Sequence, residues 1–131
     1  HDFIKYFNDK DKAKILSCLH YPHMAQSANN DPKIYFNNEE MWIYISFLLN
    51  KLEKEENWHK TTLDKVEVVN SSKNSVQCNV EFNRRYENNK SYAKAIGIWT
   101  STKKQGKWGL QLRTMIPVSG KISILAGAKI D

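Results

Sequence analysis

From Trp108 to Ile116 the side chains alternate along an extended segment. Trp108, Leu110, Leu112, Thr114 and Ile116 share one face, and Gly109, Gln111, Arg113 and Met115 share the other. The first set reads as core. The second carries a guanidinium and an amide, so it must look into solvent, a polar-lined cavity or an interface where those groups find partners. A longer alternation lies upstream, where Val76, Cys78, Val80, Phe82, Arg84 and Tyr86 oppose Gln77, Asn79, Glu81, Asn83 and Arg85. That is the pattern of a half-buried antiparallel strand, with Arg84 as the exception on its apolar face. Between the two, Tyr92 to Thr102 forms a third strand bounded by turns at 87–90 and 104–106, which predicts a meander.

Ahead of the strands the period is helical. Residues 2–8 and 12–19 read as short helices, the second capped by Asp11. Tyr21-Pro22 then turns the chain out of helix, because proline disfavours the right-handed region for the residue before it, and His23 to Ser27 runs extended. Asn29-Asn30-Asp31-Pro32 signals a turn, Ile34 to Phe36 a short extended piece, and Asn37-Asn38-Glu39-Glu40 the start of a longer helix with a capping Asn and an acidic first turn. On that helix Met41, Trp42, Ile45, Leu48, Leu49 and Leu52 form an apolar stripe that needs a partner surface, while the end at 51–57 reads as solvated. Leu63 to Val69 is the strand that follows. Helices first and hairpin strands afterwards predict an α+β fold, with N-terminal helices packed in the concave face of a curved antiparallel sheet. Gly97 and Gly109 mark a bend or a close approach within it.

At 131 residues the chain fits a single domain over 1–131. Cys18 and Cys78 sit at apolar positions and suggest free thiols in a reducing, cytoplasmic compartment, with a leader removed ahead of His1 left open. No apolar run reaches the roughly 18 residues a membrane span requires. The net charge of +6 is scattered among acidic residues rather than clustered, so neither nucleic acid nor membrane is expected as a partner. Four histidines and two cysteines show no ligand spacing, and no glycine loop for phosphate occurs, so no metal or cofactor is expected.

Arg84 either reaches a ligand carboxylate with its planar fork or snorkels at the rim beside Tyr86. His23, just after a proline, has the pKa range of a ligand donor or general base, against the alternative of a structural histidine bonded to backbone. Trp42 and Trp108 read as core, and Trp58 and Trp99, beside polar neighbours, as candidates to face a cavity. Gln111, Arg113 and Met115 read as the outer row of the sheet and a homodimer interface; if curvature brings that side inward, they become anion-binding groups.

Phe7-Asn8-Asp9-Lys10-Asp11, Leu19-His20-Tyr21-Pro22-His23, Asn57-Trp58-His59-Lys60, Val80-Glu81-Phe82-Asn83-Arg84 and Lys107-Trp108-Gly109-Leu110-Gln111-Leu112-Arg113 follow one another in a telling order. With that order the chain resembles the nuclear transport factor 2-like superfamily, in particular a SnoaL-like subgroup with no assigned reaction. The resemblance implies a cystatin-like cone with a pocket between sheet and helices, and dimerisation through the sheet's outer face. Pocket-lining candidates are Tyr21, Trp58, Arg84, Tyr86 and Trp99. The superfamily spans isomerases, dehydratases, polyketide cyclases, epoxide hydrolases and domains without catalysis, so the fold does not choose among them. Its steroid isomerase branch places an Asp base before a proline where this chain has Tyr21, and a tyrosine of pKa about 10 is a poor base at neutral pH. The segment 119–131 runs past the usual family end. The leading expectation is a pocket for an apolar or aromatic small molecule, with a carboxylic acid as its candidate polar end. The alternatives are an isomerase, dehydratase or cyclase with His23 as general base, and a non-catalytic interaction module.

Overall fold

A computed structural model describes residues 1–28 and 30–128; Asn29, in the expected turn, and 129–131, the end of the expected extension, lie outside the described residues. The elements in chain order are α1 (Asp2–Asn8), α2 (Lys12–Ser17), β1 (Leu19–Ser27), β2 (Lys33–Tyr35), α3 (Asn38–Glu56), β3 (Lys60–Ser71), β4 (Ser75–Arg85), β5 (Ser91–Lys104) and β6 (Lys107–Gly120). Both expected caps form: Asp11 accepts from the Lys14 N–H, and Asn37 from the Glu40 N–H. Asn57 ends α3 in the left-handed region, at φ 56.

The strands make one curved six-stranded sheet in the order β2-β1-β6-β5-β4-β3. The meander from β3 to β6 is antiparallel as expected. The sheet as a whole is mixed, because β1 lies beside β6 and runs parallel to it. No hairpin joins these two strands, so nothing local dictates an antiparallel direction. Pro22, exposed within β1, falls where the β1–β6 register shifts between Leu19 and Met24, a place where a missing N–H costs no ladder bond.

The α3 stripe meets the sheet as its spacing demands. Met41, Ile45, Leu48, Leu49 and Leu52 are buried with Phe3, Ile4 and Phe7 of α1 against Val80, Phe82, Ala95, Trp99 and Met115 of the strands. Ile124, Leu125 and Ala126, beyond β6, complete the same core. Among the described residues no helix is long and apolar enough to cross a membrane.

Inward-facing positions line up across the register, and one row reads Ser27, Met115, Gly97, Val80. A Cβ on Gly97 would stand 1.9 Å from the Thr114 carbonyl oxygen and 2.6 Å from the Met115 sulfur. Gly97→Ala is therefore expected to destabilise the protein by roughly 1–3 kcal/mol, read as a lower urea midpoint with an unchanged slope.

Candidate functional site

The inward rows of β4, β5 and β6 converge with α1 on a cavity of about 40 Å³. Phe3, Phe7, Trp99 and Met115 supply apolar walls, Leu125 and Ala126 close one side, and two guanidinium groups, those of Arg84 and Arg113, reach into it.

Arg84 neither reaches out for a ligand nor snorkels at a rim. It is 4% exposed, and its Nη1 donates to both carboxylate oxygens of Glu56 at 3.2 and 3.1 Å. The same carboxylate accepts from the Tyr92 hydroxyl at 2.6 Å and from the Ser123 N–H and hydroxyl at 2.6 Å each. Burial pushes the Glu56 carboxyl up, but Arg84, Ser123 and Tyr92 outweigh it and hold the group below its ordinary value. Glu56 does not belong to the solvated exit of α3, as the run of charges around it suggests. It falls four residues after Leu52 on the continuation of the apolar stripe, and that spacing is the signal by which it was legible.

The β6 row faces the opposite way from the one its alternation suggests. Arg113 is 6% exposed and Met115 2%, so both point inward rather than forming an outer row; Trp108 and Ile116, on the face read as core, are 43% and 59% exposed. Gln111 is half-buried, accepting from the Thr102 hydroxyl at 2.8 Å and donating to the Pro22 carbonyl. Both faces of β6 carry large apolar side chains, so alternation alone left the inward side undetermined. The guanidinium lies 5.0 Å from the Phe3 ring centroid, and its Nε donates to His23 Nε2 at 3.1 Å. Among the described residues that is its one hydrogen bond, and no carboxylate forms a salt bridge with it.

The surroundings of Arg113 are tyrosines. Tyr21, Tyr35 and Tyr44 lie close enough for its charge to favour their ionised forms, yet burial dominates and pushes Tyr21 up to about 12 and the other two upward as well. Burial likewise lowers the Arg113 pKa, opposed by the same three rings. The Tyr21 hydroxyl is buried and without a hydrogen-bond partner among the described residues, as is the Ser27 hydroxyl on the same strand.

His23 is fully buried. Its Nδ1 donates to the Leu110 carbonyl at 3.0 Å, which leaves Nε2 as the acceptor for Arg113. Burial first, and then the Arg113 charge, lower its pKa to about 3, so the ring is neutral near neutral pH. As a proton acceptor it has no free lone pair, since the one on Nε2 faces Arg113. Asp31, the nearest carboxylate in sequence, is exposed, and the hydrogen-bond partners of His23 among the described residues are Leu110 and Arg113 instead.

The remaining candidates divide. Trp99 lines the cavity, with its Nε1 3.0 Å from the Met115 sulfur. Trp58 is buried and donates to the Thr61 hydroxyl at 2.9 Å, with one edge toward a separate open cleft that it shares with Tyr86, His59, Lys10 and Glu53. Tyr86 stacks on Tyr92 at 4.6 Å on the rim. Trp42 is half-buried beneath Lys12 rather than central to the core.

This curved sheet packed with helices is an arrangement shared with solved structures. One is a Nostoc punctiforme protein of unknown function with a cystatin-like fold, at TM-score 0.69 and 13% identity over 89% of this chain and 84% of that one. Another, from Pseudomonas putida, is a nuclear transport factor 2-like protein of unknown function, at TM-score 0.68 and 8% identity over 88% and 78%. The fold is nuclear transport factor 2-like. A ketosteroid isomerase-like protein from Erwinia carotovora shares it at TM-score 0.62 and 10% identity over 90% and 89%. No family model and no curated protein matches the sequence. Within the nuclear transport factor 2-like cone of this chain, the interior holds two guanidinium groups and one carboxylate among the described residues.

Removing that carboxylate isolates Arg84. Glu56→Gln is expected to cost about 3–5 kcal/mol, because a buried charge is left without its counter-ion, and calorimetric melting of the variant checks it. A loss below about 1 kcal/mol, the worth of an exposed pair, would show that the network is solvated.

Proposed function

We propose that this chain, read as one domain over 1–131, is a small-molecule-binding protein whose cone takes an apolar or aromatic ligand ending in a carboxylate. The observation that carries this reading is the Arg113 guanidinium, buried in an aromatic-lined cavity with no acidic partner among the described residues. Burying an ion costs several kcal/mol unless a partner compensates it, and a planar carboxylate matches the guanidinium fork. The anion anchor is thus Arg113 and not Arg84, which Glu56 already satisfies. Phe3 and Trp99 on the cavity wall suit the ligand's body, whereas the Tyr21 hydroxyl, without a partner among the described residues, lies within reach of the Arg113 charge but not on that wall.

An isomerase-type reaction with His23 as base is the weaker reading, since the ring's acceptor nitrogen is engaged and its basicity is low. The half-buried free thiols Cys18 and Cys78 fit a reducing, cytoplasmic setting.

Arg113→Met separates binding from structure. Methionine keeps the stem and removes the charge, so acetate binding by calorimetry should be lost while the fold changes by no more than about 1–2 kcal/mol, the cost of an unpaired His23 acceptor. Retained acetate binding, or collapse of the thermal midpoint, would refute the assignment.

We also propose a homodimer through the convex face of the sheet, formed by residues other than the row first expected. Ile96, Ile98, Ile116 and Val118 are 41–59% exposed there, with Ile96 and Ile116 cross-strand neighbours. Sedimentation should give a dimer for the natural chain and a monomer for Ile96→Lys with Ile116→Lys. A natural chain that sediments as a monomer at micromolar concentration would overturn the interface.

A further inference from the structure

After β6 the chain turns at Gly120, φ 83, and residues 121–128 fold back against the interior. This segment adds no strand to the sheet, yet Ile124, Leu125 and Ala126 are only 4%, 5% and 9% exposed. Side chains hold it at two points. Glu56 accepts from the Ser123 N–H and hydroxyl, and Tyr44 donates to the Leu125 carbonyl while accepting from the Ala128 N–H at 3.4 Å. Gly127 lies so close to β1 that a Cβ there would stand 2.3 Å from the Ala25 carbonyl oxygen.

Size makes this arrangement consequential. With the segment docked, the cavity of about 40 Å³ admits a few waters or a small anion. Pockets that take drug-sized ligands run from roughly 300 to 1,000 Å³. The sheet cannot widen without breaking its ladders. The segment 121–128 can leave at the loss of apolar contacts and a handful of hydrogen bonds.

We propose that residues 121–128 are a displaceable internal occupant of the cone: a larger acid seats its carboxylate on Arg113 and its apolar body where Leu125 and Ala126 lie, and the Glu56–Ser123 contact is the latch. This rests on the reading of Arg113 as an anion anchor. Binding of such a ligand is weakened by the fraction of molecules in which the segment is docked, whereas an acid small enough for the closed cavity is not. Glu56 stays paired to Arg84 and Tyr92 when the segment leaves, so release strands no buried charge.

The test uses the full chain with two acids, acetate, which fits the closed cavity, and 2-naphthoate, which does not. Hydrogen–deuterium exchange of the amides from Ser123 to Ala128 should rise about tenfold at saturating 2-naphthoate and stay unchanged with acetate. Ser123→Asp sets a second carboxylate against Glu56. It should speed the same exchange in the free protein and tighten 2-naphthoate about tenfold, with acetate affinity unchanged within about twofold. If the variant does not fold, the wild-type exchange decides alone. Bound 2-naphthoate with the segment as protected as before overturns the displacement, as does faster exchange in Ser123→Asp without tighter binding, or exchange in that variant no faster than in the natural chain. Acetate bound but 2-naphthoate refused by the opened variant sinks the displacement and leaves the anion anchor standing. Refusal of both acids sinks both.

Discussion

The interior is organised around one carboxylate. Glu56 sits on the last turn of α3 and gathers donors from β4, β5 and the segment after β6, so four parts of the chain remote in sequence meet on two oxygen atoms. An isolated carboxylate there would be costly, and a guanidinium alone on the apolar face of β4 equally so. Together, with the Tyr92 and Ser123 donors filling the remaining lone pairs, they satisfy each other and fix where α3 ends against the sheet. Because Arg84 is thereby neutralised, the second guanidinium stands out as the interior group without a counter-charge among the described residues.

How an arginine persists in that position is answered by its neighbours. The His23 ring is oriented by the Leu110 carbonyl so that a lone pair meets Arg113, and the Phe3 face lies beneath the cation. Each contact offsets part of the desolvation, and none carries negative charge. The three tyrosines nearby are neutral at physiological pH, as ordinary phenols are, and burial moves their pKa values further above it. The charge of Arg113 makes the cavity electrostatically more favourable to an anion than to a cation, which is the physical basis of the binding proposed above.

Much of the architecture was legible because it rests on periods and caps. The α3 stripe, the β4 alternation and the caps at Asp11 and Asn37 each follow from local chemistry. What escaped was orientation. Alternation assigns residues to two faces and does not say which face is inside, and β6, apolar on both, supports either choice until the curvature is known. The same ambiguity placed Trp108 in the core and Arg113 outside it. Glu56 was hidden by composition, one acid in a run of charges, although its spacing from Leu52 marked it as inward. The pairing of Arg84 could not be read from β4 alone, since its partner is 28 residues away on a helix. Trp99 on the cavity wall was recoverable, while Tyr86 and Trp58, aromatic and near polar neighbours, belong to a different cleft.

The parallel pairing of β1 with β6 has a consequence in time rather than in space. Leu19 is matched with Leu110, and Ser27 with Met115, so the early strand finds its permanent neighbour only when the last strand has emerged from the ribosome. Until then β1 has only the three-residue β2 beside it, and one edge of a nine-residue strand is open to other chains. A nascent chain of this topology, with its first long strand paired to its last, keeps that edge unpaired for most of its synthesis, and misassociation there competes with folding until β6 is made.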